Sequence, residues 1–507
     1  MASVTSTTSL ASSLDLLVQQ YQSSLLARSV APVQTKQATL TSRLSALTTL
    51  KTKLSVLSES ALAMSKTDST SKFLSYTVAN SNTAVLAASA SSTATSGNHT
   101  LLVTQLAKAD AIVTSRFNSA TTTIVTNELT AAEKTAGSAT RQIKVLVGGV
   151  EKGTVDVSLA WSPEADTNSE VLASIAAAIN ASADVNQSVS ASVVAVTSSQ
   201  SRLVITSKTT GSTAAVSLVD VGPGTLLDSI GLTDATITGR TAVSANTTAD
   251  DPLAAPGGYL YPVNATLLDS KFVVDGLEIV RNSNTVSDVL TGVTFDLKST
   301  QALTDTPVTL AVSLNKDQIR SNVQSFLTSY NAALSYVNAQ TAVDATTGVR
   351  QVLASDVFVK SIRSGLRSIA LDAVSGLASG ANLLADIGIT AGADGTLSIS
   401  NASTFDTALA SNPTKVSNLF NSTEGVAAKL RTYVEGLIST GGQMDGATDS
   451  ISTQLTNLST KVTKLNKTIT RQVQKYRDDL ALLQSIYDQA NQQMQMIAAI
   501  TSVTSYY

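Results

Sequence analysis

The stretch that decides the fold is 451–497, ISTQLTNLSTKVTKLNKTITRQVQKYRDDLALLQSIYDQANQQMQMI. Its apolar residues recur in alternating steps of four and three, with one step of four followed by another at Ile469. This spacing is typical of a coiled coil with a single stutter. No Gly or Pro occurs between 448 and 507, so we predict one long helix at this end of the chain.

The N-terminal region repeats the pattern with fewer charges. A first apolar stripe ends before Pro32, where we expect an interruption, and a second runs from Leu40 to Met64. An apolar face of this length is not stable in water alone, so we predict that both ends pack together and then against neighbours. Two unrelated bundles are the alternative. The predicted interaction surface, here called the seam, comprises Leu14, Leu17, Tyr21, Leu25, Leu455, Leu458, Val462, Leu465, Ile469, Val473, Tyr476, Leu480 and Leu483.

Between the two ends the apolar period shifts to two. Val145 and Val155 flank a Gly148-Gly149 turn, and a second hairpin is centred on Asp275-Gly276. Helical spacing returns from 316 onwards. We therefore predict an α+β multidomain chain with long terminal coiled-coil helices packed together, a helix-rich domain, and antiparallel β modules inserted in the middle. The polar stretches 121–140 and 241–256 are expected to be linkers.

The composition excludes several classes of function. The chain has 507 residues, a net charge of −3, no Cys and one His. Thiolate metal sites, cysteine nucleophiles and the usual Ser-His-Asp triads are therefore excluded. A weakly acidic chain is also not typical of a nucleic-acid binder. We predict no catalytic residue, no cofactor and no metal site, and hence not an enzyme.

Neither a membrane span nor a secretory signal is expected. The longest uncharged stretch, 73–107, is interrupted by Ser, Thr and Asn, whereas a spanning helix needs about 20 mostly apolar residues. No Lys or Arg precedes Arg28, so the basic start of a cleavable signal is missing. The chain is then either cytoplasmic or exported by a route that reads no such signal.

Few polar residues suggest chemistry. His99 is expected to be a turn or strand residue, and the adjacent pair Asp250-Asp251 a solvated loop. Six cations with no acid among them lie in 461–477, largely on one helical face. They form either a solvated face opposite the seam or a contact for an acidic partner or for carbonyl-rich helix ends. The six are Lys461, Lys464, Lys467, Arg471, Lys475 and Arg477.

In their order along the chain, several motifs resemble the family of bacterial flagellar filament cap proteins, also called hook-associated protein two. The most specific segment runs from Val273-Val274-Asp275-Gly276 through Arg281-Asn282-Ser283-Asn284 to Phe295-Asp296-Leu297. Val103-Thr104-Gln105-Leu106-Ala107 precedes it. Other matching motifs are Leu14-Asp15, Ala31-Pro32, Ser329-Tyr330-Asn331-Ala332, Asp394-Gly395-Thr396-Leu397 and Asn412-Pro413.

This resemblance implies a domain plan and a function. The expected division is a terminal leg of 1–44 and 441–507, a helix-rich domain of 45–72 and 300–440, a β domain of 73–135 and 240–299, and an inserted tip module of 136–239. Such a protein would cap the distal end of the filament outside the cell and promote ordered polymerisation of exported flagellin. The runner-up function is a surface adhesin built on the same β modules.

The resemblance also implies partners. These are further copies of the chain in a ring-like homo-oligomer, with a pentamer favoured, together with flagellin, hook-filament junction proteins and an export chaperone. Neither nucleic acid nor membrane is an expected partner. Export would use the flagellar type III apparatus, which requires no cleavable signal.

Overall fold

The computed structural model describes residues 4–244, 256–262 and 264–503. Most of the predicted linker 241–256, including the pair Asp250-Asp251, lies outside the described residues. The helices are α1 (Val4–Leu25), α2 (Ala31–Ser65), α3 (Thr123–Glu128), α4 (Ala131–Ala136), α5 (Asn168–Ala181), α6 (Leu226–Ser229), α7 (Asp234–Thr238), α8 (Lys316–Thr341), α9 (Val357–Leu371), α10 (Ala402–Ser411), α11 (Pro413–Asn421), α12 (Val426–Ile438) and α13 (Gln443–Val503).

Every pair of neighbouring named strands is antiparallel in the described part of the chain. The strands are β1 (Tyr76–Asn80), β2 (Leu86–Ala90), β3 (Gly97–Gln105), β4 (Ala109–Val113), β5 (Phe117–Asn118), β6 (Ser138–Val147), β7 (Val150–Ala160), β8 (Val189–Thr197), β9 (Gln200–Thr210), β10 (Val216–Val221), β11 (Gly258–Tyr259), β12 (Ser270–Val274), β13 (Leu277–Arg281), β14 (Thr285–Leu290), β15 (Val293–Leu297), β16 (Val308–Leu314), β17 (Ile389–Ala391) and β18 (Leu397–Ile399).

The predicted fold class is confirmed: long helices lie at both ends and antiparallel sheets in the middle. The chain divides into two compact units, one of 1–73 with 316–507 and the other of 74–315. The predicted helix-rich domain began at 300, but β16 pairs with β1 and β3 and therefore belongs to the sheet. That pairing joins residues far apart in sequence, which local periodicity does not reveal.

The helical unit is a bundle in which α2 packs against α8, α12 and the first part of α13. Its core includes Leu47, Leu50, Leu54 and Leu57 of α2, all fully buried. The heptad-like spacing of these leucines places them on one face, which explains why α2 forms as a helix and where it packs. Phe326 of α8 and other buried aromatic side chains complete the core.

Pro32 does not interrupt the N-terminal helix as expected. A π-helical turn, Leu26–Val30, joins α1 to α2, and Pro32 lies in the first turn of α2. A proline is tolerated at this position because the first N–H groups of a helix have no intrahelical partner. The chain is therefore helical from Val4 to Ser65, with the π-helical turn between α1 and α2.

The first part of the β unit is a two-sheet module. One sheet has the order β1-β16-β3-β12-β13 and the other β14-β15-β2. Phe272 of β12 meets Phe295 of β15 edge-to-face at a ring-centroid distance of 5.6 Å. The β12–β13 hairpin turns at Asp275 and Gly276, which both have positive φ, 49° and 86°. An Asp-Gly pair suits that turn because Gly pays no steric penalty there.

The second part of the β unit is the tip module, defined here by the continuous core from Ile112 to Tyr259. It contains the sheet β10-β6-β7 and a sheet in which β9 pairs with β4, β5 and β8. The predicted bounds of 136–239 were too narrow, because β4 and β11 belong to it. The expected linker 121–140 was also wrong: it forms α3 and α4, and Ile124 and Val125 are fully buried.

Candidate assembly surface on the terminal helices

The terminal helix pair, defined as α1, the π-helical turn and residues 459–503 of α13, contains all of the predicted seam residues except Leu455 and Leu458. Residues further along α1 contact residues earlier in α13, so the two helices run antiparallel. Leu14 lies beside Leu483, and the Tyr21 and Tyr476 rings are 4.5 Å apart at their centroids. The two helices pair because each carries an apolar stripe that the other covers.

The buried centre of this pair is small. Four side chains form it, Val18, Val30, Ile469 and Val473, each at most 9% exposed. Partly buried side chains pack around them: Tyr21, Leu25, Leu26, Val462, Leu465, Tyr476 and Leu480. A cluster of this size leaves part of the apolar surface of the two helices uncovered within one chain, since Leu17 and Leu483 stay exposed.

The structure brings most of the predicted seam residues together, but not all of them. Leu14, Leu455 and Leu458 are half-buried outside the cluster. Leu17 and Leu483 are 43% and 64% exposed. Sequence reasoning missed Val18, Leu26 and Val30. The spacing could have identified Val18, because Leu14, Val18, Tyr21 and Leu25 follow steps of four, three and four. Leu17 lies about 100° from Val18 around the helix.

Apolar side chains are exposed near the end of α13. Leu482, Ile486, Met496 and Ile497 are between 55% and 62% exposed. Leu483 and Tyr487 line an apolar groove with Leu14, Gln484, Ile486 and Ala490. Exposed apolar surface that is contiguous along one element is typical of a contact site.

The charges on the terminal helix pair and on the first turns of α2 separate into two sections. The basic section, 28–42 with 461–477, contains eight Lys or Arg and no Asp or Glu. The acidic tip, 4–27 with 478–503, contains four Asp and no Lys or Arg. All twelve of these side chains are exposed, and none forms an ion pair among the described residues. The charge therefore changes from positive to negative along the axis of the helix pair.

Elsewhere, buried charges are paired within the tip module. Arg141 bonds Glu128 and Glu133, and Arg141 holds the pKa of Glu133 down at about 2. Arg240 forms two hydrogen bonds of 2.8 and 3.0 Å with the buried carboxylate of Asp110. Such carboxylates are satisfied by partners, which fits a structural role.

His99, which the sequence analysis considered as a candidate for chemistry, has a structural contact instead. His99 lies in β3, and its Nδ1 is 2.7 Å from a carboxylate oxygen of Asp275 at the β12–β13 turn. Among the described residues, no group of three His, Asp or Glu is placed to hold a metal ion. Within the same part of the chain, no helix has the length and apolarity needed to cross a membrane.

Two family models match this chain. Residues 11–110 match the flagellar hook-associated protein 2 N-terminus, and residues 268–492 match the flagellar hook-associated protein 2 C-terminus. Together they include most of the terminal helix pair. The chain belongs to the flagellar hook-associated protein 2 family.

Relatives match along nearly the whole length. The B-type flagellar hook-associated protein 2 of Pseudomonas aeruginosa is 28% identical over 486 residues, which cover 91% of this chain and 90% of the relative. The flagellar hook-associated protein 2 of Escherichia coli is 26% identical over 475 residues, with 91% and 90% covered. The flagellar cap protein FliD of E. coli, solved as its D1-D2-D3 domains, has a TM-score of 0.58 at 23% identity, covering 80% of this chain and 99% of that chain.

The hook-associated protein 2 models leave one internal segment unmatched. Neither model covers 111–267, which contains the tip-module core from Ile112 to Tyr259. The matched residues hold α1 from residue 11, α2, the two-sheet module, the helical unit and α13 to residue 492. The family pattern therefore lies in the helices and the two-sheet module, while the tip module lies between the matched parts.

Proposed function

We propose that this chain is a structural cap at the distal end of the flagellar filament and promotes ordered polymerisation of exported flagellin. The observation that carries the proposal is the family match at both chain ends, because those residues form the paired terminal helices. A cap needs elements that hold it on a growing polymer, and long helices with incompletely buried apolar faces suit that task.

The terminal helix pair is the proposed assembly surface. Its seam residues hold the two helices together, and the exposed apolar end of α13 provides a surface for further copies of the chain or flagellin. We propose a ring-like homo-oligomer, with a pentamer favoured by the family resemblance. Hook-filament junction proteins and an export chaperone are the other proposed partners.

The domain plan is a further part of the proposal. The terminal helix pair is the leg, the helical bundle lies next to it along the chain, and the two-sheet module and tip module form the plate. The place of action is the distal filament tip, outside the cell, reached through the flagellar type III apparatus. This role is structural and requires no catalytic group.

Complementation of a strain that lacks its cap gene tests the proposal. The full chain should restore swimming and retain flagellin in filaments. A variant without 1–30 and 459–507 should leak unpolymerised flagellin into the medium, while circular dichroism shows that its remaining parts are folded. The cut at 459 keeps Ile451 and Asp445, which pack or pair within the helical bundle. Normal swimming with the truncated variant would contradict the proposed role of the helices.

The adhesin function has no supporting observation, so it is not proposed. The complementation strain separates the two functions directly, because loss of an adhesin leaves full-length filaments and retained flagellin. Flagellin in the culture medium and filament length should therefore be measured together.

A further inference from the structure

We infer that residues 281–284, here called the docking segment, bind the tip module and hold it to the two-sheet module as one rigid body. The docking segment, Arg281-Asn282-Ser283-Asn284, belongs to the most specific part of the family resemblance and connects β13 to β14. The proposed capping function gives these residues no role, and the inference does not depend on that function.

Two covalent connections link the modules. The chain enters the tip module between β3 and β4 and returns between β11 and β12. The Lys108 N–H donates to Leu268 O at 2.8 Å, so the two connections lie side by side. Two adjacent connections leave a swinging motion open unless another contact stops it. Both modules nevertheless lie in one compact unit of 74–315, which agrees with a further contact between them.

That further contact joins the end of β9 to the docking segment. Thr210 Oγ1 donates to Asn282 O at 2.8 Å, and Asn282 Nδ2 donates to Thr213 Oγ1 at 2.9 Å. Gly211 packs directly on Asn282: a Cβ built on Gly211 would lie 2.3 to 2.5 Å from three atoms of Asn282. Gly211 also has a φ of 93°. Only glycine fits this position, because it combines the positive φ with the close approach.

The tip module also offers main-chain groups at this contact. The Gly211 N–H donates to Lys108 O at 3.0 Å, and the Ser212 N–H donates to a carboxylate oxygen of Asp269 at 2.6 Å. Asp269 is only 6% exposed, so water competes little for its bond. These two bonds recognise the course of the backbone at 211–212 and not a side chain.

Asn284 fixes the docking segment to the first connection. The Ala107 N–H donates to Asn284 Oδ1 at 2.7 Å, and Asn284 Nδ2 donates to Ala107 O at 2.9 Å. The side-chain amide thus exchanges two hydrogen bonds with one residue, as paired strand residues do. Ala107 is buried, so loss of the amide would deprive two buried groups of this partner. Asn284 therefore positions Asn282 against Gly211.

The two sides of the contact differ in the family comparison. Asp269, Asn282 and Asn284 lie within the matched residues, whereas 210–213 lies in the unmatched segment 111–267. The docking segment therefore fits one kind of partner: an inserted module that presents a glycine turn with free N–H groups and flanking hydroxyls. Held in this way, the tip module passes a load to the two-sheet module and does not swing under it.

A pair of glycine substitutions tests the inference. Gly211→Ala places a Cβ where Asn282 lies. Gly222→Ala is the matched control, because Gly222 has a similar φ of 85° but no atom within 4 Å of an added Cβ. Both variants carry a similar backbone penalty, so the difference between them reports the contact. Since the chain has no Cys, Thr154→Cys in β7 and Thr304→Cys before β16 provide exposed sites for two spin labels.

Distances between the two spin labels in the full chain should form one narrow distribution, and Gly222→Ala should keep it narrow. Gly211→Ala should widen the distribution, and its Ser212 amide should exchange with solvent at least about tenfold faster. Asn282→Ala combined with Asn284→Ala removes hydrogen bonds without adding a clash and should also widen the distribution. Asn98→Ala, at an exposed position of β3, is the control for that variant. Circular dichroism should show that every variant is folded.

Three results would overturn the inference. A broad distribution in the otherwise unchanged chain would mean that the modules swing despite the contact. Distributions that stay narrow in Gly211→Ala and in the double Asn variant would mean that the contact does not hold the modules. Equal widening in Gly222→Ala would assign the effect to strain inside the tip module. None of these measurements uses swimming or flagellin retention, so the contact and the proposed capping function succeed or fail separately.

Discussion

Replacing Ile469 by Ala should loosen the terminal helix pair without unfolding the rest of the chain. Ile469 is 4% exposed and is one of the four buried side chains that form the centre of this pair. Large-to-small core substitutions cost about 2–5 kcal/mol. We expect the low end, about 2 kcal/mol, because two helices surrounded by solvent can close much of the space that the side chain leaves.

Hydrogen exchange measures this effect where it occurs. A loss of about 2 kcal/mol in local opening corresponds to about 30-fold faster exchange of α1 amides that are protected by the pair. Amides around Val323 and Phe326, which lie in the helical bundle core, should keep their rates. The matched control is Lys467→Ala, because Lys467 is exposed two residues away and its loss should change α1 exchange by less than about threefold.

Two results would refute this reasoning. The first is unchanged exchange of α1 amides in Ile469→Ala, which would mean that Ile469 does not hold the helices together. The second is equally faster exchange in α1 and in the helical bundle, which would mean that the pair does not open as a separate unit. In the first case the seam is wrongly placed; in the second, cooperativity extends along the whole of α13.

Three further predictions concern the tip module. Arg141→Met should lower its stability by about 3–5 kcal/mol in thermal unfolding, since the fully buried Glu128 side chain loses its charge partner, whereas Lys144→Met should cost less than about 1 kcal/mol. Burial raises the pKa of Asp220 to about 6, so Asp220→Asn should stabilise the module by about 1 kcal/mol at about pH 7, and this gain should shrink as the pH falls towards about 4. Excision of 109–265 with a short Gly linker should leave the two-sheet module folded by circular dichroism, because the Lys108 N–H donates to Leu268 O at 2.8 Å.

The elements that sequence reasoning placed well are those specified locally. The apolar spacing of α13 extends over many turns, and no Gly or Pro breaks it. Gly148-Gly149 and Asp275-Gly276 adopt the positive φ values that their hairpin turns need. In these places the neighbouring residues alone decide the conformation, so a single sequence is sufficient.

The misplaced boundaries depend on pairing between distant residues. β4 joins the tip module through β9, which follows it by about ninety residues. Nothing in the local pattern of either strand names its partner. The stretch 121–140 looks polar because its helices are short and expose most of their surface, yet Ile124 and Val125 are buried by contacts with α5 and α6.

The two faces of α13 differ in how far one chain buries them. The seam residues alone therefore do not identify the surface that is open to other molecules. The seam face is satisfied largely within one chain, since α1 covers Ile469 and Val473. The other side of α13, which carries Lys464, Lys467 and Arg471, is exposed to solvent. If association covers that face, it also stabilises the helices that form it, because a contact made only by the folded pair shifts folding by mass action. Protection of α1 amides should therefore rise with protein concentration and fall with salt, and a pair stabilised by its seam alone would show neither dependence.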